Sequence, residues 1–501
     1  MGSDSKMKHF LDSVHGTINI PSEYCDKIID TCYFQRLRRI EQNSCRSVFP
    51  SARHDRFIHS LGVFHLGMLI VDSIKKRSEN NLPQNAEKIF NTYKMACLLH
   101  DVGHTPFSHT FEEYFDRGSI ENALKIELND SNFSKDLDDG RKAAHHEALS
   151  AYISIIIFKE VLLSLDIDLV LLVRMITGYK YLDNKVPIAS FENSMIELIH
   201  GDMIDADGLD YVCRDVWAGG YRNFTIDIDR LINSIEIVYS DAAGYSVAYN
   251  AKALNEIETV LNIKNFQYLY VLKHHKVLLE QYLLVESMKY TACYHLGHPA
   301  DSADDRDNAL RSLCDFNVYI TPKILSKSNY KLHRPTDDDF VALMKLYDIE
   351  NPYIKQWFSR KYDVMPLWKS KMEYFSVFKP VFQSLSKEEY KNIHTILMSP
   401  ECKHFICDQF KLQESDIIVI EVEPKLRKLE ERIYIKLNDN IKPYSELSHD
   451  MFSVVGTELS FCYMYINLNT IGGDDPKMHI KTIISRIKDF LLMELREKWD
   501  E

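Results

Sequence analysis

The ten cysteines of this 501-residue chain include no CxxC pair and no framework spacing, so a disulfide scaffold is excluded and reduced, cytoplasmic thiols are expected. Glycine (17) and proline (15) are too few for a collagen-like or linker-dominated chain. Positive charge is also short: 60 Lys plus Arg face 73 Asp plus Glu, a formal charge of -13. No bulk field therefore draws the chain onto nucleic acid or anionic lipid, and any phosphate binding has to be local. The most apolar stretch, Ala148 to Ile176, is broken by Lys159, Glu160, Asp166, Asp168 and Arg174, which excludes a membrane span there and predicts two buried helices. No internal repeat or low-complexity segment stands out. What is present is ordinary globular material, 45% hydrophobic and 27% charged, enough for two to four packed domains. The opening Met1 to Lys6 reads as a leftover tag ahead of a native start at Met7.

From Glu23 to about Tyr294 apolar residues recur at three and four positions, as in Leu61, Phe64, Leu66, Leu69 and Ile70, which predicts a nearly all-α region. Breaks are expected at Asn80 to Pro83, at Asn129 to Arg141 as a disordered or lid-like loop, and at Tyr179 to Pro187. After Gly297-His298-Pro299, the prolines at 322, 335 and 352 punctuate shorter helices, including Phe340 to Tyr347 and Tyr353 to Lys361. Short strands are expected at Asp416 to Val422, Arg432 to Leu437 and Phe461 to Asn467, with a closing helix over Ile480 to Leu495. The expected architecture is mainly α: a helical core over residues 8–295, a helical lobe over 296–412 and a small α+β appendage over 413–501.

The strongest chemical signal is Leu98-Leu-His-Asp-Val-Gly-His-Thr-Pro-Phe-Ser-His109, where imidazoles and a carboxylate crowd the end of an apolar helix. With Arg56-Phe-Ile-His-Ser-Leu-Gly62 upstream and Asp205-Ala-Asp-Gly-Leu-Asp-Tyr211 downstream, His59, His100, Asp101 and Asp207 supply two nitrogens and two carboxylates. Such a set suits one divalent ion of the Mn, Fe or Zn kind, with positions open for water and a phosphate oxygen. On a helix, Asp207, Tyr211 and Asp215 share one face, where a sugar hydroxyl could meet them.

These segments resemble the HD-domain phosphohydrolases, and within them the deoxynucleoside triphosphate triphosphohydrolases, over roughly Asp12 to Met288. The landmarks are Asp12-Ser-Val-His-Gly16, Ile29 to Arg38, Val48-Phe-Pro50, Arg56 to Val63, the His100-Asp101 block, His146-Glu147, and Asp205 to Asp215. The resemblance implies an HD-domain core with His59, His100, Asp101 and Asp207 as metal ligands. It assigns His109, Glu112 and His146 to the α-phosphate and its leaving group, with Asp usual in the family where Glu112 stands. His104 either assists at that phosphate or serves helix capping and packing. Gln42, Arg56, Tyr211, Asp215 and Lys276 match substrate contacts, although Asp215 could equally pair with a neighbouring Arg. Asp30, Gln35 and Arg38 match a regulatory guanine-nucleotide site at a subunit interface in vertebrate members, or else form the charged face of an early helix.

Two departures bear on the substrate. Gly208 stands where the family usually has Lys or Arg, so one expected cation is missing. Asn43 and Lys273 stand where vertebrate members have an apolar and an aromatic residue that exclude a 2′ hydroxyl; Lys273 either replaces the lost cation or is solvated. The implied activity is hydrolysis of a nucleoside triphosphate, arriving with Mg²⁺, to nucleoside and tripolyphosphate by a homo-oligomer, dimer or tetramer, with a possible activating nucleotide. Two rivals remain: a phosphodiesterase acting on a cyclic or oligomeric nucleotide or a nucleic-acid end, and a nucleotide-sensing scaffold without turnover.

Overall fold

The computed structural model describes residues 6–78, 82–139, 143–183, 187–201, 204–221, 224–241, 244–347, 351–382, 387–423, 433–437, 440–444, 460–471 and 476–497. These are mainly helical, with small sheets, as the periodicity predicts. Chain contacts group them into two compact units. The first comprises 1–267, 288–348 and 427–451, and the second 268–287, 349–426 and 452–501. The sequence reading instead expects three consecutive segments.

Five helices of the first unit carry or support the site. Helix α1, Arg56–Arg77, begins where the Asp55 side chain accepts from the Ile58 N–H at 3.0 Å. Its composition and length would suit a bilayer, yet 72% of its most apolar window is buried inside the protein, as in a core helix. It packs on α2, Ala86–Leu99, and on α5, Ala206–Ala218, while α3, His145–Ile157, packs on α4, Leu169–Thr177. Gly62 makes the α1–α5 crossing possible, since a Cβ there would overlap the Asp210 carboxylate and come within 2.6 Å of Arg214 Nη2. Gly103 does the same against α3, where a Cβ would lie 2.5 Å from the Ser150 nitrogen.

Three expectations are corrected. The stretch expected as a loop at 129–141 contains a helix, Ser131–Asp139, directly after the helix Arg117–Leu128. Asn129 turns the chain with φ 48° and Asp130 accepts from the Phe133 N–H at 2.7 Å, so the polar cluster is a tight helix-to-helix joint. Phe133 is fully buried and Asp136 pairs with buried Arg174 at 2.8 Å, an anchorage that an average over polar residues hides. The nearly all-α region also contains an antiparallel hairpin, Ile235–Ser240 with Gly244–Asn250. Finally, the strand read at 432–437 belongs to the first unit: Tyr434–Leu437 pairs in parallel with Gly244–Asn250, and Asn440–Pro443 completes a four-stranded sheet. In the second unit Phe461–Asn467 lies between Val364–Pro366 and Ile417–Val422, and the closing helix runs Pro476–Glu497.

Candidate active site

The end of α2, the start of α1 and the start of α5 bring His59, His100, Asp101 and Asp207 to one point. His59 Nε2 lies 3.0 Å from Asp207 Oδ1, 3.3 Å from His100 Nε2 and 3.6 Å from Asp101 Oδ2. His100 Nε2 is 3.5 Å from Asp101 Oδ2 and 3.8 Å from Asp207 Oδ1. Donors about 2.1 Å from a common ion are roughly 3.0–3.5 Å apart; His59, His100 and Asp207 lie close enough together to hold one divalent ion, while Asp101, paired with Arg56, stands 3.5–3.6 Å from the two imidazoles.

The hydrogen-bond pattern makes the same point. His59 Nδ1 donates to Asp210 Oδ2 at 2.7 Å and His100 Nδ1 to the Cys97 carbonyl at 3.0 Å. His100 Nε2 is therefore left as an acceptor, and with His59 neutral both Nε2 lone pairs would face each other and two carboxylates, an arrangement that a cation balances. Burial opposes a charge on His59, but Asp207 and Asp210 overcome it and raise the imidazole to about 9 while no ion competes. Burial likewise disfavours an ionised Asp101, yet the Arg56 guanidinium, 2.8 Å away, holds it below the ordinary carboxylate range. Asp207 is the open member of the set, with 38% of its side chain exposed.

A buried network stands behind His59. Asp210 accepts from Arg214 Nε and Nη2, each at 2.8 Å, and lies 2.6 Å from His15 Nε2, while Arg214 Nη1 reaches Asp12 at 2.7 Å. The N-terminal hairpin, Met7–Asp12 with Gly16–Pro21, thus brackets the residue that orients a metal ligand.

A second cluster gathers His104, His109, Glu112 and His146, a set that could itself hold an ion. Glu112 Oε1 is 2.5 Å from His146 Nδ1, 2.9 Å from His109 Nδ1 and 3.8 Å from His104 Nε2. One carboxylate oxygen serving two imidazoles is the geometry of an ion pair. Burial works against charge on His146, but Glu112 raises it to about 9, so it carries a proton at neutral pH. His104 is the opposite case: burial and the nearby Arg56 keep it well below the usual imidazole range, and it stacks on His146 at 4.4 Å. Arg56 joins the two clusters, donating to Asp101, to Ser108 Oγ at 3.0 Å, to the Gln42 carbonyl at 3.1 Å and to His109 Nε2 at 3.4 Å.

Among the other expected residues, Gln42 is buried beside Arg56 and its Oε1 has no hydrogen-bond partner. Tyr211 lies on α5 and Asp215 one turn on, where it meets His54 Nε2 at 2.6 Å rather than the neighbouring Arg considered from sequence. Asn43 is half-buried. Lys273 and Lys276 belong to the second unit, Lys273 with its ammonium 5.5 Å from the Tyr268 ring. Asp30 pairs with Lys8 at 3.0 Å, Gln35 accepts from Arg38 Nε at 2.9 Å, and Arg38 lies over the Phe57 ring. Arg36 in that run is buried, so the run is not a single solvated face.

Sequence reasoning missed Lys264. Its side chain is almost fully buried, 3.5 Å from Asp205 Oδ2 and 5.5 Å from the Tyr211 ring. A Cβ on Gly208 would overlap its Nζ, so the glycine next to Asp207 makes room for an ammonium from another helix. The bare glycine was the only sequence signal for it.

Residues 56–165 match the HD domain family model. The chain carries an HD domain. A putative HD domain-containing protein of Acanthamoeba polyphaga mimivirus is 27% identical over 368 residues, 69% of this chain and 71% of that protein. The deoxynucleoside triphosphate triphosphohydrolase SAMHD1 homolog of Dictyostelium discoideum is 31% identical over 244 residues, 47% of this chain and 41% of its own. The Gallus gallus SAMHD1 triphosphohydrolase is 45% identical over 111 residues, 22% of this chain and 17% of its own. The chain thus spans less than half the length of these two relatives. Among solved structures, a Bacteroides thetaiotaomicron phosphohydrolase superposes with a TM-score of 0.60 at 20% identity, covering 92% of this chain and all of that one. The match shows a shared fold. His59 and His100 of the matched segment, with Asp207 beyond it, form a group that could hold a divalent ion.

Proposed function

We propose that this HD-domain protein is a metal-dependent (deoxy)nucleoside triphosphate triphosphohydrolase that attacks the α-phosphorus and releases nucleoside and tripolyphosphate. The observation that carries the reading is Arg56, whose one guanidinium contacts a member of the metal set and a member of the His–Glu cluster, so that both serve one substrate. A divalent ion of the Mn, Fe or Zn kind, held by His59, His100, Asp101 and Asp207, would polarise an α-phosphoryl oxygen and lower the pKa of a water. Water, giving up one proton to solvent, adds to phosphorus as the bond to the 5′ oxygen breaks; protonated His146 supplies that oxygen with its proton and regains one from solvent. Glu112 keeps His146 charged until then, and His109 stands beside the same carboxylate. Gln42, Tyr211 and Asp215 are the proposed sugar contacts. The triphosphate comes with Mg²⁺, and Lys264, 3.5 Å from Asp205 Oδ2 and against Gly208, adds a buried ammonium near the site.

That ammonium weakens the diester reading, which rested on the missing cation at Gly208. Metal-loaded protein incubated with each common NTP and dNTP, singly and in mixtures, tests the proposal by chromatography and mass. Tripolyphosphate plus nucleoside supports it; a monophosphate ester or no turnover sinks it. Mixtures also test Asp30, Gln35 and Arg38 as an activating-nucleotide site, and sedimentation with and without nucleotide tests the proposed homo-oligomer. All ten cysteines are unpaired, in keeping with a proposed cytoplasmic location.

A further inference from the structure

The loop that presents His109 has an unusual backbone. Phe107 and Ser108, neither of them glycine, are consecutive residues with φ of 54° and 52°. Such a turn persists only where its surroundings over-determine it. Its surroundings include a residue 230 positions away: Asp337 Oδ1 accepts from the Phe107 N–H at 2.6 Å. The other oxygen of the same buried carboxylate accepts from the Glu41 N–H at 3.0 Å, one residue before Gln42. Asp337 is set in place by a capping box at the start of the helix Asp337–Leu346, where Thr336 Oγ1 donates to Asp339 at 2.7 Å. The same segment of chain holds the loop's other end. Arg36 donates to the carbonyls of His104 and Pro335, and Tyr319 donates to the His104 carbonyl at 3.4 Å.

We propose that Asp337 is a positioning residue, one carboxylate that locks the loop of Gln42 and the loop of His109 into the register the chemistry needs. It touches no substrate and belongs to neither cluster. The proposal rests on the functional reading in one respect, that Gln42 and His109 face the substrate.

Asp337→Ala, Asp337→Asn and the exposed control Asp338→Ala are compared for kcat, KM, bound metal and amide hydrogen exchange of residues 40–44 and 104–110. Alanine removes both acceptors, whereas asparagine keeps one and turns an NH₂ toward the other amide. The expected result for alanine is a kcat about 10- to 100-fold lower with metal stoichiometry retained and protection lost at Phe107 and Glu41, since a misplacement of about 1 Å costs that much. Asparagine falls between, and Asp338→Ala matches wild type. Unchanged kcat in Asp337→Ala, unchanged amide protection, or loss of metal in step with activity overturns the proposal. If the alanine variant does not fold, the asparagine variant decides by the same three readouts. If wild type hydrolyses no triphosphate, the functional reading falls while the exchange measurement still decides the role of Asp337.

Discussion

At the scale of single residues, the proposed function divides metal holding and proton delivery between two clusters, and the two should be removable independently. His146→Ala should keep its metal while kcat drops by about 10²–10⁴, the usual worth of a positioned acid. Metal analysis beside single-turnover kinetics checks it; an intact kcat would move the acid role to His109. The pH profile has a sign to test. As the proposed acid, His146 would act protonated, and Glu112 raises it to about 9, so the rate should hold through neutrality and fall as pH rises past about 9. Removing the counter-charge in Glu112→Gln should bring that basic limb down toward the ordinary imidazole range. Asp210→Asn leaves the four ligands in place but withdraws the carboxylate behind His59, and metal affinity should weaken about 10- to 100-fold in a chelator competition. These roles differ in legibility. His59, His100, Asp101 and Asp207 sit in short local motifs whose residue types announce a metal. Lys264 does not, because a lone lysine in a helical pattern looks solvated until its neighbours are known.

Elements act mainly through how closely they approach. The α1–α5 crossing brings Asp207 to His59 and has no spare volume at Gly62, where an added methyl meets Asp210 and Arg214, both fully hydrogen-bonded. Gly62→Ala should destabilise the protein by about 1–3 kcal/mol in chemical denaturation and weaken metal binding in the same variant. Gly208→Ala offers a contrast, since the nearest overlapping atoms belong to the end of a lysine side chain, with Asp205 Oδ1 next at 2.9 Å. It should displace Lys264 and raise KM for the triphosphate with little loss of stability; a stability loss as large as that of Gly62→Ala would show that Lys264 cannot move. Helical periodicity announced α1, α2 and α5, but not the helix Ser131–Asp139, where one buried apolar residue among those described, Phe133, cannot establish a period. The hairpin at 235–250 was hidden for a related reason. Ile235, Glu236 and Ile237 are all buried, so the strand lacks the alternation that marks a half-exposed one.

At the scale of the whole molecule, an ion that binds the assembled site and not the unfolded chain would stabilise the fold by mass action. Exhaustive chelation should abolish hydrolysis and lower Tm by about 5–10 °C, both restored by a divalent transition ion. A Tm unmoved by chelation would mean that the ion is not held by the folded site. The sequence by itself determined the fold class and offered the four candidate ligands, and the resemblance it carries pointed to the His–Glu group. The ligand candidates follow from residue types in three short motifs, and the His–Glu group follows from the family resemblance that those motifs carry. Only the tertiary structure decided how Arg56 joins the two clusters, that Lys264 lies against Gly208, that His15 and Asp12 support Asp210, and that Asp337 ties two loops together. Those partners come from distant parts of the chain, and one-dimensional spacing does not report which buried groups meet. The membership of the strand Tyr434–Leu437 in the first unit has the same origin: strand pairing satisfies backbone groups across any sequence distance, and nothing in a short apolar run names its neighbour.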